Sequence, residues 1–167
     1  MRIMLVRHAE TEWNKKNCVQ GWSNIGLTCY GVEQAREFGS SLVKDEWDLI
    51  ISSDLERAVQ TAENMVECLD IPMKTMTELR ERNYGDLEGM PQDEVKKKYP
   101  RLNYLADIPG GESYKSFYKR VICGFQFIEN HYDNKRVIIV THHGVLQILA
   151  SYLGIVYKWD NLSFIIV

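Results

Sequence analysis

The 167-residue chain carries 20 Lys and Arg against 23 Asp and Glu, a formal net charge of -3, with 45% hydrophobic and 26% charged residues. That balance is ordinary for a folded globular chain with a sizeable core, taken as one domain over residues 1–167, and it excludes a disordered chain. A mildly acidic whole carries no electrostatic footprint for nucleic acid, so an anionic ligand would need a local basic pocket.

The first apolar run stops at Arg7, too short for the core of a signal peptide, and no stretch approaches the ~18 residues of a membrane span. The four cysteines, Cys18, Cys29, Cys68 and Cys123, show neither a CxxC pair nor metal-ligand spacing. Reduced thiols in a cytoplasmic protein are the expectation.

Strand-like and helix-like patterns then alternate. Arg2 to Val6 reads as a first strand, and residues 31–44 carry Val32, Ala35, Phe38, Gly39 and Leu42 at helical spacing. Asp48 to Ser52 is a short buried strand. Leu55, Ala58, Val59, Ala62, Met65, Val66 and Leu69 follow as an apolar helical stripe, with Ser53 and Glu56 as a capping box. Met73 to Met76 is a minor strand and Pro91 to Tyr99 a short polar helix, followed by a loop through Pro109-Gly110-Gly111.

Tyr114, Phe117, Val121, Phe125 and Ile128 mark another amphipathic helix. Arg136 to Thr141 is the clearest strand, residues 143–153 are helical, and Leu162 to Val167 is a last strand. The alternation predicts a three-layer α/β/α sandwich on a mainly parallel central sheet. The polar stretch from Gly85 to Gly111 interrupts it and is expected to fold over one sheet edge as a short lid.

In such a sheet, ligands bind beyond the carboxyl ends of the strands. Arg7 and His8 follow the first strand, Arg57 lies in the first turn of the helix after the second, and His142 and His143 follow the strand 136–141. Right-handed crossovers put these ends on one edge. Helix N-termini there add N–H donors suited to phosphate. The pattern alone therefore predicts an anion pocket with two imidazoles and two guanidinia. His8, His142 and His143 could also be read as metal ligands. No carboxylate or thiolate completes that set at the strand ends, and the arginines would repel a cation, so no metal is expected.

With these residues in place, the chain resembles the phosphoglycerate-mutase-like branch of the histidine phosphatase superfamily over nearly its whole length. Leu5-Val6-Arg7-His8-Ala9-Glu10-Thr11 with Trp13-Asn14 is similar to the signature carrying the phosphorylated histidine, and Gln20-Gly21-Trp22 to the phosphate loop. Ser52 to Ala58, Leu79 to Gly85, and Val140 to Val145 resemble the later motifs. The resemblance implies His8 as nucleophile, Arg7, Arg57 and His142 as ligands of the phosphate oxygens, and Glu81 as acid and then base. Asn14, Gln20, Gly21 and the His143 backbone N–H would complete the cradle, and no cofactor is implied.

Glu78 and Glu88 lie near Glu81, and the residues alone do not choose among the three; the resemblance selects Glu81. His143 stands where many members carry a small residue, so its side chain either points into the pocket or caps the helix. The chain after Gly154 is shorter than is usual in the family, and a shortened C-terminus, with one pocket wall in question, is expected. A homodimer is compatible with the resemblance.

The stretch from Gly89 to Gly111 is short for a mutase lid, and Lys96-Lys97-Lys98 reads as a solvated face. Water is then expected to reach the intermediate, which favours a phosphatase of small phosphomonoesters, α-ribazole 5'-phosphate among them. A cofactor-dependent phosphoglycerate mutase is the alternative, and a non-catalytic phosphate-binding protein the third reading. Trp22, Tyr84, Tyr104 and Tyr114 are candidates to touch an apolar or aromatic part of the ester.

Overall fold

A computed structural model describes residues 1–103 and 105–167 of the chain; Tyr104 lies outside them. In chain order the elements are β1 (Arg2–Arg7), α1 (Glu12–Lys15), α2 (Cys29–Ser41), β2 (Leu49–Ser53), α3 (Glu56–Leu69), β3 (Met73–Met76), α4 (Gln92–Lys98), α5 (Tyr114–His131), β4 (Arg136–Thr141), α6 (His143–Tyr152) and β5 (Phe164–Ile166). The strands form one sheet in the order β3-β2-β4-β1-β5, with only β5 antiparallel.

The three central strands, RIMLVR, LIISS and RVIIVT, are nearly continuous runs of buried residues. Such runs suit strands covered on both faces, and β-branched side chains pack well on a pleated surface. Alternate residues serve opposite layers. Ile3, Leu5, Ile51, Val137 and Ile139 meet Phe117, Val121, Phe125 and Ile128 of α5 and Val145 and Leu149 of α6. Met4, Val6, Ile50, Ile138 and Val140 meet Ala58, Ala62, Met65 and Leu69 of α3, with Phe38 of α2 beyond. Burial of each large apolar side chain contributes roughly 1.5–3 kcal/mol, so these two seams hold the layers together. The result is the expected α/β/α sandwich.

The register aligns the functional edge. Arg7 of β1 lies opposite Thr141 of β4, and Ser52 of β2 opposite Val140. His8 and His142, the next residues on β1 and β4, therefore emerge at one level, with Ser53 one residue below them, level with Arg7 and Thr141.

Several boundaries differ from the periodicity. α2 begins at Cys29 because the Thr28 side chain accepts from the Gly31 N–H, and the chain leaves the helix after Ser41 into a 3-10 turn, Lys44–Glu46. The expected capping box at Ser53 does not form. α3 starts after Leu55 with no side-chain cap, and the Ser53 hydroxyl serves His142 instead. The last strand is held to Phe164–Ile166, since Leu162 takes a left-handed conformation with φ 53°. α1 was not foreseen; it is one turn, closed by a reciprocal Thr11–Asn14 capping box.

Residues 85–103 and 105–111 form a small satellite around Val19, Leu87, Val95 and Ile108, packed with Tyr84, Met90, Tyr99 and Leu102. Val19 belongs to the loop after α1, so the satellite is anchored to the segment that follows His8. Among the described residues, no helix is long and apolar enough to cross a membrane, and the four cysteines are free.

Candidate active site

His8 sits where β1 ends. Its N–H donates to Thr141 O (2.9 Å) and its carbonyl accepts from Asn161 Nδ2 (2.9 Å), which fixes the backbone on both sides. The ring Nδ1 lies 2.8 Å from Ala9 O, a group that can only accept, so Nδ1 carries the hydrogen. Nε2 is left with a free lone pair. The ring is only 3% exposed. Burial, then the charges of Arg57 and Arg7, hold its pKa well below the ordinary 6.5, against a smaller opposing effect of the Ala9 carbonyl. A neutral, oriented imidazole is a nucleophile at neutral pH.

His142 is fully buried behind His8, with ring centroids 5.2 Å apart, and does not itself line the cavity. Its Nε2 is 2.8 Å from Ser53 Oγ, whose oxygen also receives the Leu55 N–H at 3.3 Å. With the Ser53 hydroxyl assigned as the donor to Nε2, the His142 hydrogen lies on Nδ1, a buried atom with no partner. Burial is also the main cause of its pKa lying well below 6.5.

Two guanidinia face the same space. Arg57 is 1% exposed; its two terminal nitrogens donate to Ser23 O (3.0 Å) and Gly21 O (2.7 Å). Burial lowers its pKa to about 10, with Glu81 and Glu88 opposing. Arg7 donates to Trp159 O at 3.0 Å, and burial lowers its pKa, offset by Glu81 and Asp160. The Nε atoms of both arginines are buried without a partner. A buried donor left unsatisfied costs about 1–3 kcal/mol, and two guanidinia so placed on the cavity beside one neutral imidazole describe a site shaped for an anion.

Glu81, the acid expected from the resemblance, lines the same cavity and is 8% exposed. Its carboxylate accepts from the backbone N–H groups of Arg82 (2.9 Å) and Gly144 (3.1 Å), so the N-terminus of α6 is directed at it. A Cβ at Gly144 would overlap Glu81 Oε1, so a side chain there would displace the carboxylate from this position. The Glu81 carbonyl accepts from Trp22 Nε1 (2.7 Å) and Arg120 (3.1 Å), and Arg120 also donates to Glu78 O and Arg80 O at 2.9 Å each. That clamp holds the segment before the acid. Glu78 does not line the cavity.

The remaining predicted residues are placed as follows. Asn14, Gln20, Gly21 and His143 all line the cavity. Asn14 Oδ1 accepts the Thr11 N–H (3.0 Å), and Gln20 Oε1 lies 3.0 Å from the Thr11 hydroxyl. The N-cap of α6 is His142, so His143 is the first helical residue and faces the cavity, with Nδ1 3.2 Å from Trp159 O. Of the aromatic candidates, Tyr84 lines the cavity; Trp22 and Tyr114 do not.

Lys96, Lys97 and Lys98 are exposed, as the sequence suggests, and Lys96 also borders the cavity. On the C-terminal side Lys158, Trp159 and Asp160 line the cavity, and the Trp159 carbonyl accepts from Arg7 and lies 3.2 Å from His143 Nδ1. Neither Trp159 nor Asn161 carries a local sequence signal, since one acts through a backbone carbonyl and the other through a long-range amide contact.

The cavity has a volume of about 640 Å³, several times what one phosphate needs. Beyond His8 it runs under the satellite, past Trp13, Val19, Tyr84, Leu87, Val95 and Ile108. Among the described residues, no group of three or more His, Cys, Asp or Glu is placed to hold a metal ion.

From residue 3 to residue 162 the sequence matches the model of the histidine phosphatase superfamily, branch 1. The chain belongs to the histidine phosphatase superfamily. Within it, the chain is 40% identical over 149 residues to the Bacillus subtilis protein named uncharacterized phosphatase PhoE, covering 89% of this chain and 75% of that one. It is 36% identical over 165 residues to a 2,3-bisphosphoglycerate-dependent phosphoglycerate mutase of Parvibaculum lavamentivorans, covering 90% of this chain and 79% of that one. Among solved structures, the α-ribazole phosphatase of Shigella flexneri superposes with a TM-score of 0.86 at 28% identity, covering 99% of this chain and 89% of that one. Superfamily members thus include both phosphatases and mutases.

Proposed function

We propose that the protein is a phosphatase of small-molecule phosphomonoesters, working through a phosphohistidine on His8. The observation that carries this reading is the pair of buried guanidinia, Arg7 and Arg57, each with an unpartnered Nε, on the cavity onto which the neutral His8 imidazole opens. In this mechanism they take the phosphoryl oxygens as charge spreads over them in the transition state.

His8 Nε2 attacks phosphorus and the P–O bond to the alcohol breaks, with Glu81 in its acid form giving its proton to the departing oxygen. The Glu81 carboxylate then takes a proton from water. The water oxygen bonds to phosphorus, the P–N bond breaks, and orthophosphate and free His8 are restored. Asn14, Gln20, Gly21 and the His143 N–H border the phosphate. The guanidinia supply the positive charge a metal would otherwise bring, so the chemistry runs without one.

The apolar extension of the cavity supports an ester whose alcohol has an apolar or aromatic part, and the likeness to the Shigella flexneri structure supports α-ribazole 5'-phosphate as one candidate. A cytoplasmic setting is part of this reading. Lys96 on the cavity wall and the mutase relatives favour phosphoglycerate mutase as the second reading. The large cavity favours the phosphatase, because water has room beside the bound phosphoryl group.

A panel of phosphomonoesters assayed in excess EDTA, including 3-phosphoglycerate with 2,3-bisphosphoglycerate, tests the reading. Orthophosphate release with aromatic or apolar esters preferred is expected. Phosphoryl exchange without release would make the protein a mutase, and orthophosphate binding without turnover of any ester would make it a binding protein.

A further inference from the structure

Arg57 is anchored by two carbonyls, Gly21 O and Ser23 O, that belong to a loop outside any helix or strand. Such a loop holds a guanidinium only as firmly as the loop itself is held. What holds it is a carboxylate from the base of the satellite. Glu88 Oε1 accepts from Trp22 N (2.8 Å) and Tyr84 N (3.0 Å), and Oε2 accepts from Ser23 N and Ser23 Oγ (2.6 Å each). Four donors converge on one side chain. Charge-assisted bonds of this kind are roughly twice as strong as neutral ones.

The packing is equally specific. Gly21 lies with φ +56° directly against this carboxylate, and a Cβ at residue 21 would overlap Glu88 Oε1. The Glu88 carboxylate therefore replaces water at two loop N–H groups, excludes a side chain at Gly21, and leaves the Gly21 and Ser23 carbonyls directed at Arg57.

We propose that Glu88 is a positioning residue for Arg57, acting through the backbone of residues 21–23 rather than on substrate. The proposal rests on the reading of Arg57 as a ligand of the phosphoryl group. Glu88 is not a second acid: it does not line the cavity, and its two oxygens are taken up by four donors of the protein itself. Its negative charge also lies close enough to favour the cationic form of the buried arginine.

A double-mutant cycle separates this role from simple support of the fold. Glu88→Gln keeps the shape but turns an NH2 group toward a backbone N–H. It should lower kcat/KM for p-nitrophenyl phosphate about tenfold and weaken competitive inhibition by orthophosphate to a similar degree. In an Arg57→Lys background, the same change should cost less than about threefold, because the group it positions is already gone. Ser23→Ala removes one of the four contacts and is the milder companion should Glu88→Gln fold poorly. It should lower kcat/KM about threefold alone and not measurably in the Arg57→Lys background.

Equal losses in both backgrounds would overturn the proposal and leave Glu88 as a general brace. If Arg57→Lys itself leaves kcat/KM and orthophosphate inhibition unchanged, the phosphate-ligand reading fails, and the role of Glu88 falls with it.

Discussion

Replacing Glu81 by Gln isolates the proton-transfer step. The carboxylate accepts two backbone N–H groups, from Arg82 at 2.9 Å and Gly144 at 3.1 Å. An amide of the same shape accepts only one and turns its NH2 toward the other. One unsatisfied buried donor costs about 1–3 kcal/mol of stability, a Tm fall of about 2–12 °C for a chain of this size. The fold should survive. The chemical cost is larger and depends on the leaving group. General acid catalysis contributes about 10²–10⁴-fold, or roughly 2.7–5.5 kcal/mol, when the departing alkoxide is strongly basic. A p-nitrophenolate leaves without a proton. The quantity to measure is kcat/KM, which reports events through phosphoenzyme formation and excludes the later hydrolysis common to all esters. We expect Glu81→Gln to lower kcat/KM about 10³-fold for an alkyl phosphate and less than about tenfold for p-nitrophenyl phosphate. Equal losses for the two esters would refute Glu81 as the acid.

Two further outcomes follow from the buried imidazoles. Ser53→Ala removes the hydroxyl 2.8 Å from His142 Nε2 and with it the preference for the Nδ1–H tautomer. It should lower kcat/KM about tenfold and Tm by about 2–12 °C, because the Leu55 N–H and His142 Nε2 lose their partner, and an unchanged kcat/KM would show that His142 does not need that tautomer. His8 and His142 both have folded pKa values well below 6.5, so between those values and 6.5 the unfolded chain binds more protons than the folded one. Stability should thus be complete above about pH 6.5 and fall as the pH drops below it, by up to about 1.4 kcal/mol per pH unit for each histidine. Urea midpoints from pH 7 to pH 5 measure this, and His142→Gln should flatten the slope; a slope unaltered by that change would contradict the account.

Much of this arrangement could be read from residues close in sequence. The runs 2–6 and 136–141 announce central strands because they are apolar on both faces, and three strand ends placed Arg7, His8, Arg57, His142 and His143 on one edge. What escaped detection depends on contacts between distant segments. Ser53 looked like a helix cap because its spacing to Glu56 suits one, yet His142, 89 positions away, competes for the hydroxyl and wins. Lys96 is exposed, as its place in a run of three lysines suggests, but that run does not reveal that Gln92, Val95 and Lys96 of α4 border the cavity. Trp159 contributes a carbonyl, which its side chain cannot advertise, and Glu88 was one of three carboxylates that spacing alone could not tell apart.

The central claim is that His8 itself carries the phosphoryl group. Rapid acid-free quenching into alkali during turnover of a phosphomonoester, followed by mass spectrometry of peptides containing residue 8, tests it most directly. The account predicts an alkali-stable, acid-labile phosphoryl group on His8 that forms and decays as fast as orthophosphate is released, and that is lost with all turnover in His8→Ala. Undiminished orthophosphate release from His8→Ala would contradict the account.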